Sequence, residues 1–172
     1  MNTQAFLLTI SNGPPDLTVN VVPAKSMIYG GPVPGMPQDS SLVTITVQNR
    51  LSFLPGPIGS ILGKEPILQA FGSEAKAVIV SIRLTSDLRQ IGNVIMPAGF
   101  QSAVAPNNQT IFFFGGTIPA DVSVDFVIEV IGDYACGVNA SILAEVDPFS
   151  VITEVSKTNN KGSATIWIWS LC

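Results

Sequence analysis

The chain has 172 residues, of which 47% are hydrophobic and only 12% charged, with a net charge of −4 and no histidine. A chain of that length buries roughly 70% of its unfolded surface without a disulfide or metal staple, so a single domain over 1–172 is expected. The absence of histidine excludes Ser-His-Asp and Cys-His nucleophilic sites and most zinc and iron centres, and the pI of about 4.5 leaves no basic footprint for nucleic acid.

An ordinary globular domain is about 25% charged. This chain has a mean hydropathy of +0.45, yet Pro, Gly, Asn or Asp interrupts every apolar stretch well before the roughly 20 residues of a membrane-spanning helix. It has too little charge to cover a free surface. Part of its exterior is therefore expected to be covered by copies of itself or by a partner.

The opening, MNTQAFLLTISNGPPD, has no basic n-region and an apolar core of only six residues, AFLLTI. That does not read as a signal peptide. A native start at Met1 would leave the chain in the cytosol, whereas a leader upstream would take it outside. Residues 2–10 predict a terminal strand, cut off by Ser11-Asn12-Gly13-Pro14-Pro15. Such a strand pairs in its own domain or swaps into a neighbour, which makes Phe6, Leu7 and Leu8 interface candidates. Deleting residues 1–10 is expected to impair association more than folding.

Residues 16–22 alternate, with Leu17, Val19 and Val21 on one face. Residues 23–40 hold four prolines around Met27, Ile28, Tyr29, Val33 and Met36, which reads as a long ordered loop. Residues 41–49 place Val43, Ile45 and Val47 inward. Residues 51–73 form the second irregular segment, with room for two helical turns over 64–71. Residues 74–86 form the longest predicted strand, led by Val78, Val80, Ile82 and Leu84. Strands over 93–100 and 110–114 follow, and Gly115-Gly116 is expected to break the chain. The clearest alternation is VSVDFVIEVI, 122–131. Val122, Val124, Phe126, Ile128 and Val130 share a wholly apolar face that backs a mixed one carrying Asp125, Val127, Glu129 and Ile131. Strands over 142–146, 151–155 and 165–171 close the chain, with a hairpin turn at 158–162. Trp167 and Trp169 share one face of the last.

About ten short strands with almost no helix predict an all-β fold, an antiparallel β-sandwich or barrel. The strand count and the two long Pro/Gly-rich loops favour a jelly roll over an immunoglobulin-like sandwich.

Few residues suggest chemistry. Asp125 and Glu129 share a strand face about 13 Å apart at roughly 3.3 Å per residue, too far for paired-carboxylate hydrolysis or for one metal ion. They read as solvent-side charges. Glu145 and Asp147 at i,i+2 are calcium candidates, though two carboxylates supply only part of the six to eight oxygens that calcium takes. Gly59-Ser60-Ile61-Leu62-Gly63-Lys64 looks like a phosphate loop but has Ile58 where a first glycine belongs and Glu65 where Ser or Thr must follow. Asn108-Gln109-Thr110 and Asn139-Ala140-Ser141 match the glycosylation pattern, which matters only in a secreted chain. Cys136 and Cys172 read as free thiols. Phe112–Phe114 and Trp167 with Trp169 read as core or intersubunit packing, since nothing basic stands among them. The mixed face makes Val127 and Ile131 further interface candidates. No enzyme activity and no cofactor are expected.

In length, strand density and loop placement the whole chain resembles the single jelly-roll capsid proteins of membrane-containing double-stranded DNA viruses, including those of thermophiles. The resemblance implies a self-assembling structural subunit in the virion shell, forming dimers or larger assemblies with itself and with a second capsid subunit. It also implies a membrane beneath the shell and no direct nucleic-acid contact. Residues 16–49 (DLTVNVV…VTITVQN) resemble the opening of adhesion-type β-sandwich domains on bacterial and archaeal surfaces. That resemblance implies an extracellular filament or surface-layer subunit with an immunoglobulin-like fold, in which residues 2–10 donate a strand to the next subunit. A third expectation is a carbohydrate-binding sandwich, for which Trp167 and Trp169 are the aromatic candidates.

Overall fold

The computed structural model describes residues 8–31, 38–54, 68–133 and 137–170. In chain order the strands are β1 (Leu8–Ser11), β2 (Asp16–Pro23), β3 (Met27–Tyr29), β4 (Ser40–Arg50), β5 (Ser52–Leu54), β6 (Leu68–Phe71) and β7 (Ala75–Leu84). They continue with β8 (Leu88–Ile95), β9 (Gln101–Val104), β10 (Thr110–Ile118), β11 (Val122–Gly132), β12 (Val138–Val146) and β13 (Lys161–Trp169). No helix occurs among the described residues.

Two sheets make the body: six strands in the order β3-β13-β12-β7-β10-β9 and four in the order β2-β4-β11-β8. A small sheet, β1-β6-β5, stands beside them. The all-β sandwich expected from the alternation is present. In the two main sheets the pairing is antiparallel except where the short β3 joins β13 in parallel.

The core lies between the two main sheets, as strand alternation requires. Val43, Ile45 and Val47 of β4, and Phe126, Ile128 and Val130 of β11, are fully buried and face Val78, Val80 and Ile82 of β7 and Ile142 and Val146 of β12. Each such side chain contributes about 1.5–3 kcal/mol of transfer free energy. An aromatic cluster ties the layers together: the Phe126 ring lies 4.6 Å from Phe113 and 4.9 Å from Phe100, the latter edge-on at 84°. On β7, Ala77 has a φ of 51° beside a register shift against β10. This bulge lets Lys76 and Ala77 both face outward while Ala75 and Val78 both enter the core.

Several sequence expectations need correction. The Gly115-Gly116 pair does not end β10, which runs on to Ile118 through a bulge with Gly115 at φ 93°. Gly116 is needed because a Cβ there would lie 2.0 Å from Cε2 of Phe100. The strand expected over 93–100 is shifted: β8 ends at Ile95, a turn closed by Phe100 N–H donating to Pro97 O at 3.3 Å follows, and β9 begins at Gln101. The described end of the helical stretch over 64–71 is strand β6, paired on both sides by β1 and β5; the rest lies outside the described residues, as do Gly59–Lys64 and both cysteines. The loop over 23–40 contains β3. Residues 151–155 form no strand but part of a 147–160 loop, and Lys161 and Gly162 of the expected turn already belong to β13.

Candidate functional site

The last strand decides the site. In Lys161–Trp169, KGSATIWIW, Ile166 and Ile168 are fully buried. Period two then turns Trp167 and Trp169 outward, at 37% and 40% exposed. Of the core or intersubunit roles expected for them, the core role is overturned. Residues 161, 163 and 165 share the tryptophans' parity and are Lys, Ser and Thr, so this face is polar along its length and aromatic at one end.

The aromatic end is completed by β3, whose register sets Met27 beside Trp167 and Tyr29 beside Trp169. Tyr29 and Met27 are 43% and 49% exposed, and the Tyr29 and Trp169 rings meet edge-on at 5.4 Å and 72°. Backbone bonds fix the pair of strands: Trp167 N–H donates to Ser26 O at 2.8 Å, and Gly30 N–H to Trp169 O at 2.9 Å. On the other side, Gly137 has a φ of 72°, and a Cβ there would approach Cζ2 of Trp167 to 3.0 Å. The indole therefore lies against bare backbone. The four side chains form an exposed strip at one edge of the six-stranded sheet.

Across β12 the same face carries Asn139 opposite Trp167, Ser141 opposite Thr165, Leu143 opposite Ser163 and Glu145 opposite Lys161. Asn139 and Leu143 are exposed. Lys161 Nζ lies 3.3 Å from Glu145 Oε1 and Arg83 Nη2 3.9 Å from Glu145 Oε2. A shallow depression of about 240 Å³ sits among these charges. A second cleft of about 530 Å³, at one end of the sandwich, is lined by Asp16, Gln48, Arg50, Leu51, Ser52, Asp121 and Val155.

The calcium candidates are not brought together. Glu145 points to Lys161 and Arg83 on the sheet face. Asp147 has left the strand with a φ of 48° and is buried. Its carboxylate accepts bonds from Val151 N–H at 2.9 Å, Ile152 N–H at 3.1 Å and Lys157 Nζ at 2.6 Å. Lys157 also donates to Ile152 O at 2.6 Å and to Glu154 Oε1 at 3.0 Å. Glu154 Oε2 in turn accepts from Leu17 N–H at 3.0 Å. One ammonium thus joins two carboxylates with no side-chain exposure and ties the 147–160 loop to β2. Burial works against the charge on Lys157, but the hydrogen bonds to Asp147 and Glu154 hold its pKa above the ordinary lysine value.

The other candidates separate. Asp125 and Glu129 do share the outer face of β11, where they accept hydroxyl bonds from Thr46 at 2.6 Å and Ser40 at 2.5 Å. Val127 is half-buried there, but Ile131 is buried within the chain and presents no free surface. Phe113 is core, with Phe112 and Phe114 half-buried. Phe6 and Leu7 lie outside the described residues; Leu8 opens β1, which pairs in parallel with β6 of its own chain. Asn108 and Asn139 are both exposed. Sequence reasoning missed Met27 and Tyr29 as site residues. The signal available was Lys161, Ser163 and Thr165, whose parity marks the tryptophan face as the wet one.

No family model and no curated protein matches the chain. Among solved structures, it is similar to the CARDB domain of the PF1109 protein from Pyrococcus furiosus, determined in complex with di-metal ions: TM-score 0.53, 10% identity, 92% of this chain and 96% of that one. A collagen-binding domain from a Staphylococcus aureus adhesin aligns over 91% of this chain and 98% of its own, at 10% identity and a TM-score of 0.42. AvmM, which catalyzes macrocyclization in alchivemycin A biosynthesis, aligns over 94% and 92% at 8% identity and 0.45. At such identities the likeness to the CARDB domain is one of fold, and it places this chain among the β-sandwich domains.

Proposed function

We propose that this chain is a non-catalytic β-sandwich module of an extracellular or surface-exposed protein, and that it works by holding a partner against the outer face of its six-stranded sheet. The observation that carries the reading is the Met27, Tyr29, Trp167 and Trp169 strip, four large side chains left exposed side by side on one face of the sheet. The strand order supports an immunoglobulin-like arrangement. In chain order β2, β4, β7, β8, β11, β12 and β13 fall as first-second-fifth-fourth on one sheet and seventh-sixth-third on the other, with the β9–β10 hairpin added. The absence of histidine is consistent with a module that performs no hydrolysis.

The test is retention of the whole chain on arrays of proteins, neutral and charged glycans and lipid vesicles, compared with a Trp167→Ser/Trp169→Ser double variant of unchanged thermal midpoint. One class of surface is expected to hold the wild type and release the variant. Identical behaviour of the two proteins on every surface overturns the reading.

A second reading, a self-assembling shell subunit resembling viral capsid proteins, draws on a different observation. Apolar side chains are also exposed elsewhere: Val22, Leu42 and Ile95 on the four-stranded sheet, and Phe149, Val151 and Val155 in the 147–160 loop. A closed shell needs more than one contact per subunit. That reading places the chain in a virion, with itself and a second subunit as partners over a membrane. Closed particles by negative-stain microscopy would favour it; a monomer at high concentration across salt and pH counts against it.

A further inference from the structure

We infer that the strip formed by Trp167, Trp169, Tyr29 and Met27 is a binding site for a neutral polysaccharide chain, whose sugar rings stack on the two indoles. The inference rests on the contact-face reading above and names its ligand.

Spacing comes first. Trp167 and Trp169 are two residues apart on one strand face, which sets their Cα atoms roughly 6.6 Å apart. The two rings can serve neighbouring sugars of one extended chain. A pyranose presents one face of C–H groups made slightly positive by the ring oxygens. The negative face of an indole is its electrostatic complement.

Polar partners stand where a stacked sugar needs them. Asn139 lies directly across from Trp167 and is exposed, and Ser141 and Thr165 follow as the next outward pair. An amide and two hydroxyls can donate to and accept from sugar hydroxyls without bringing charge. Away from the strip on this face, Lys161 and Arg83 share the Glu145 carboxylate. Lys161 is six residues, about 20 Å, from Trp167 along the strand. Beside the strip, Lys25 is already paired with Asp39, whose other carboxylate oxygen accepts a bond from Tyr29 N–H. Among the described residues an anionic glycan would therefore meet no unpaired cation there.

Size separates a sugar from a second copy of the chain. Side chains of this class cover about 150–250 Å² when buried, so four of them at the observed exposures offer on the order of 400 Å². A standard protein interface covers about 800 Å² on each partner. The strip has half of that, which suits a few sugar rings. The rings are also held before a ligand arrives, Trp169 by Tyr29 and Trp167 by the Gly137 backbone. Little side-chain entropy is then lost on binding.

The chain has only two tryptophans and both lie in the strip, so their emission reports occupancy directly. The experiment titrates the whole chain with cellohexaose, xylohexaose, mannohexaose, maltohexaose and hexa-N-acetylchitohexaose, with heparin as the charged comparator and sedimentation velocity run in parallel. At least one neutral hexasaccharide is expected to give a saturable blue shift. Trp169→Ala should weaken it about tenfold or more, and Asn139→Ala about three- to tenfold, the loss of one neutral hydrogen bond. Both positions are exposed, and Asn139→Ala keeps the test open if the tryptophan variant folds poorly. The inference is overturned if no neutral probe shifts the emission, if binding survives Trp169→Ala, or if heparin alone binds. An emission shift that follows protein concentration without sugar, with a matching dimer in the ultracentrifuge, also overturns the sugar while leaving the contact-face reading intact. Loss of every array interaction as well removes both.

Discussion

At the residue scale, Lys157 carries more than a surface lysine normally does. Its ammonium is shared by two carboxylates that solvent does not reach. Removing one partner of a buried pair costs about 3–5 kcal/mol, whereas an exposed pair is worth under about 1. Lys157 itself is 36% exposed, so Lys157→Met is expected to cost about 2 kcal/mol, read as a lower urea midpoint at unchanged m. The pH dependence follows from the raised pKa. The ammonium contributes fully below the ordinary value of 10.5, and its contribution is lost as pH rises past that value through the higher folded one. The urea midpoint of the wild type should therefore fall above about pH 10.5, and that of Lys157→Met should not share this fall. Amide exchange in the 147–160 loop, compared at one neutral pH, should be faster in Lys157→Met.

Asp39 gives the opposite sign. Burial raises its pKa, but the hydrogen bonds from Lys25 Nζ and from Tyr29 N–H outweigh that and leave it below 3.8. Its contribution is present above 3.8 and lost as pH falls through the lower folded value. Lys25→Met should move the Asp39 titration up toward the ordinary value, measured on its carboxyl carbon by NMR. Because Asp39 also holds Tyr29 N–H, the same variant should loosen the aromatic strip.

At the scale of elements, β11 is an inner strand of its sheet and carries the aromatic contact between the two layers. Phe126 is fully buried between Phe100 and Phe113. Phe126→Ala is expected to cost about 3–5 kcal/mol of folding stability, measured by denaturant unfolding. The same cluster explains Gly116. Gly116→Ala drives a methyl into the Phe100 ring and should cost about 1–3 kcal/mol by overpacking. If Gly116→Ala folds with unchanged stability, the Phe100 ring has another place to go and the account of the β10 bulge is wrong. Both variants leave the outer face untouched, so glycan or array binding per folded molecule should not change.

At the scale of the molecule, the scarcity of charge becomes a property of two outer faces. Eight cations and twelve anions leave a net charge of −4 on 172 residues, while apolar side chains stand exposed on both sheets. Near the pI of about 4.5 that small repulsion vanishes. Light scattering at fixed concentration should rise as pH falls from 7 toward 4.5, and Trp167→Ser/Trp169→Ser should lessen the rise. A rise identical in both proteins would mean that the other apolar exposures, not the strip, drive association.

Long alternating strands were legible in the chain. Over 41–49 and 74–86 the predicted inward residues are in the core, because a two-residue period on a long strand leaves one consistent way to bury its apolar face. Over 122–131 this holds for Phe126, Ile128 and Val130, while Val124 is half-buried and Val122, at the strand's start, is exposed. Short strands were not. β3, β5, β6 and β9 have three or four residues each, too few for a period, and they exist because a neighbouring edge supplies their hydrogen bonds. The 151–155 stretch shows the converse, since its Val151, Ile152, Thr153 and Val155 have the β-branched composition of a strand while Asp147, Glu154 and Lys157 hold that segment as a loop. What the amino-acid sequence determined alone was the β-sandwich class and the residues of its long core strands. Tertiary structure decided what stands beside the wet face of β13. The parity of Lys161, Ser163 and Thr165 marks that face in the sequence, but nothing local joins it to residues 27–29. Only the parallel pairing of β3 with β13, a contact distant along the chain, sets Met27 beside Trp167 and Tyr29 against Trp169.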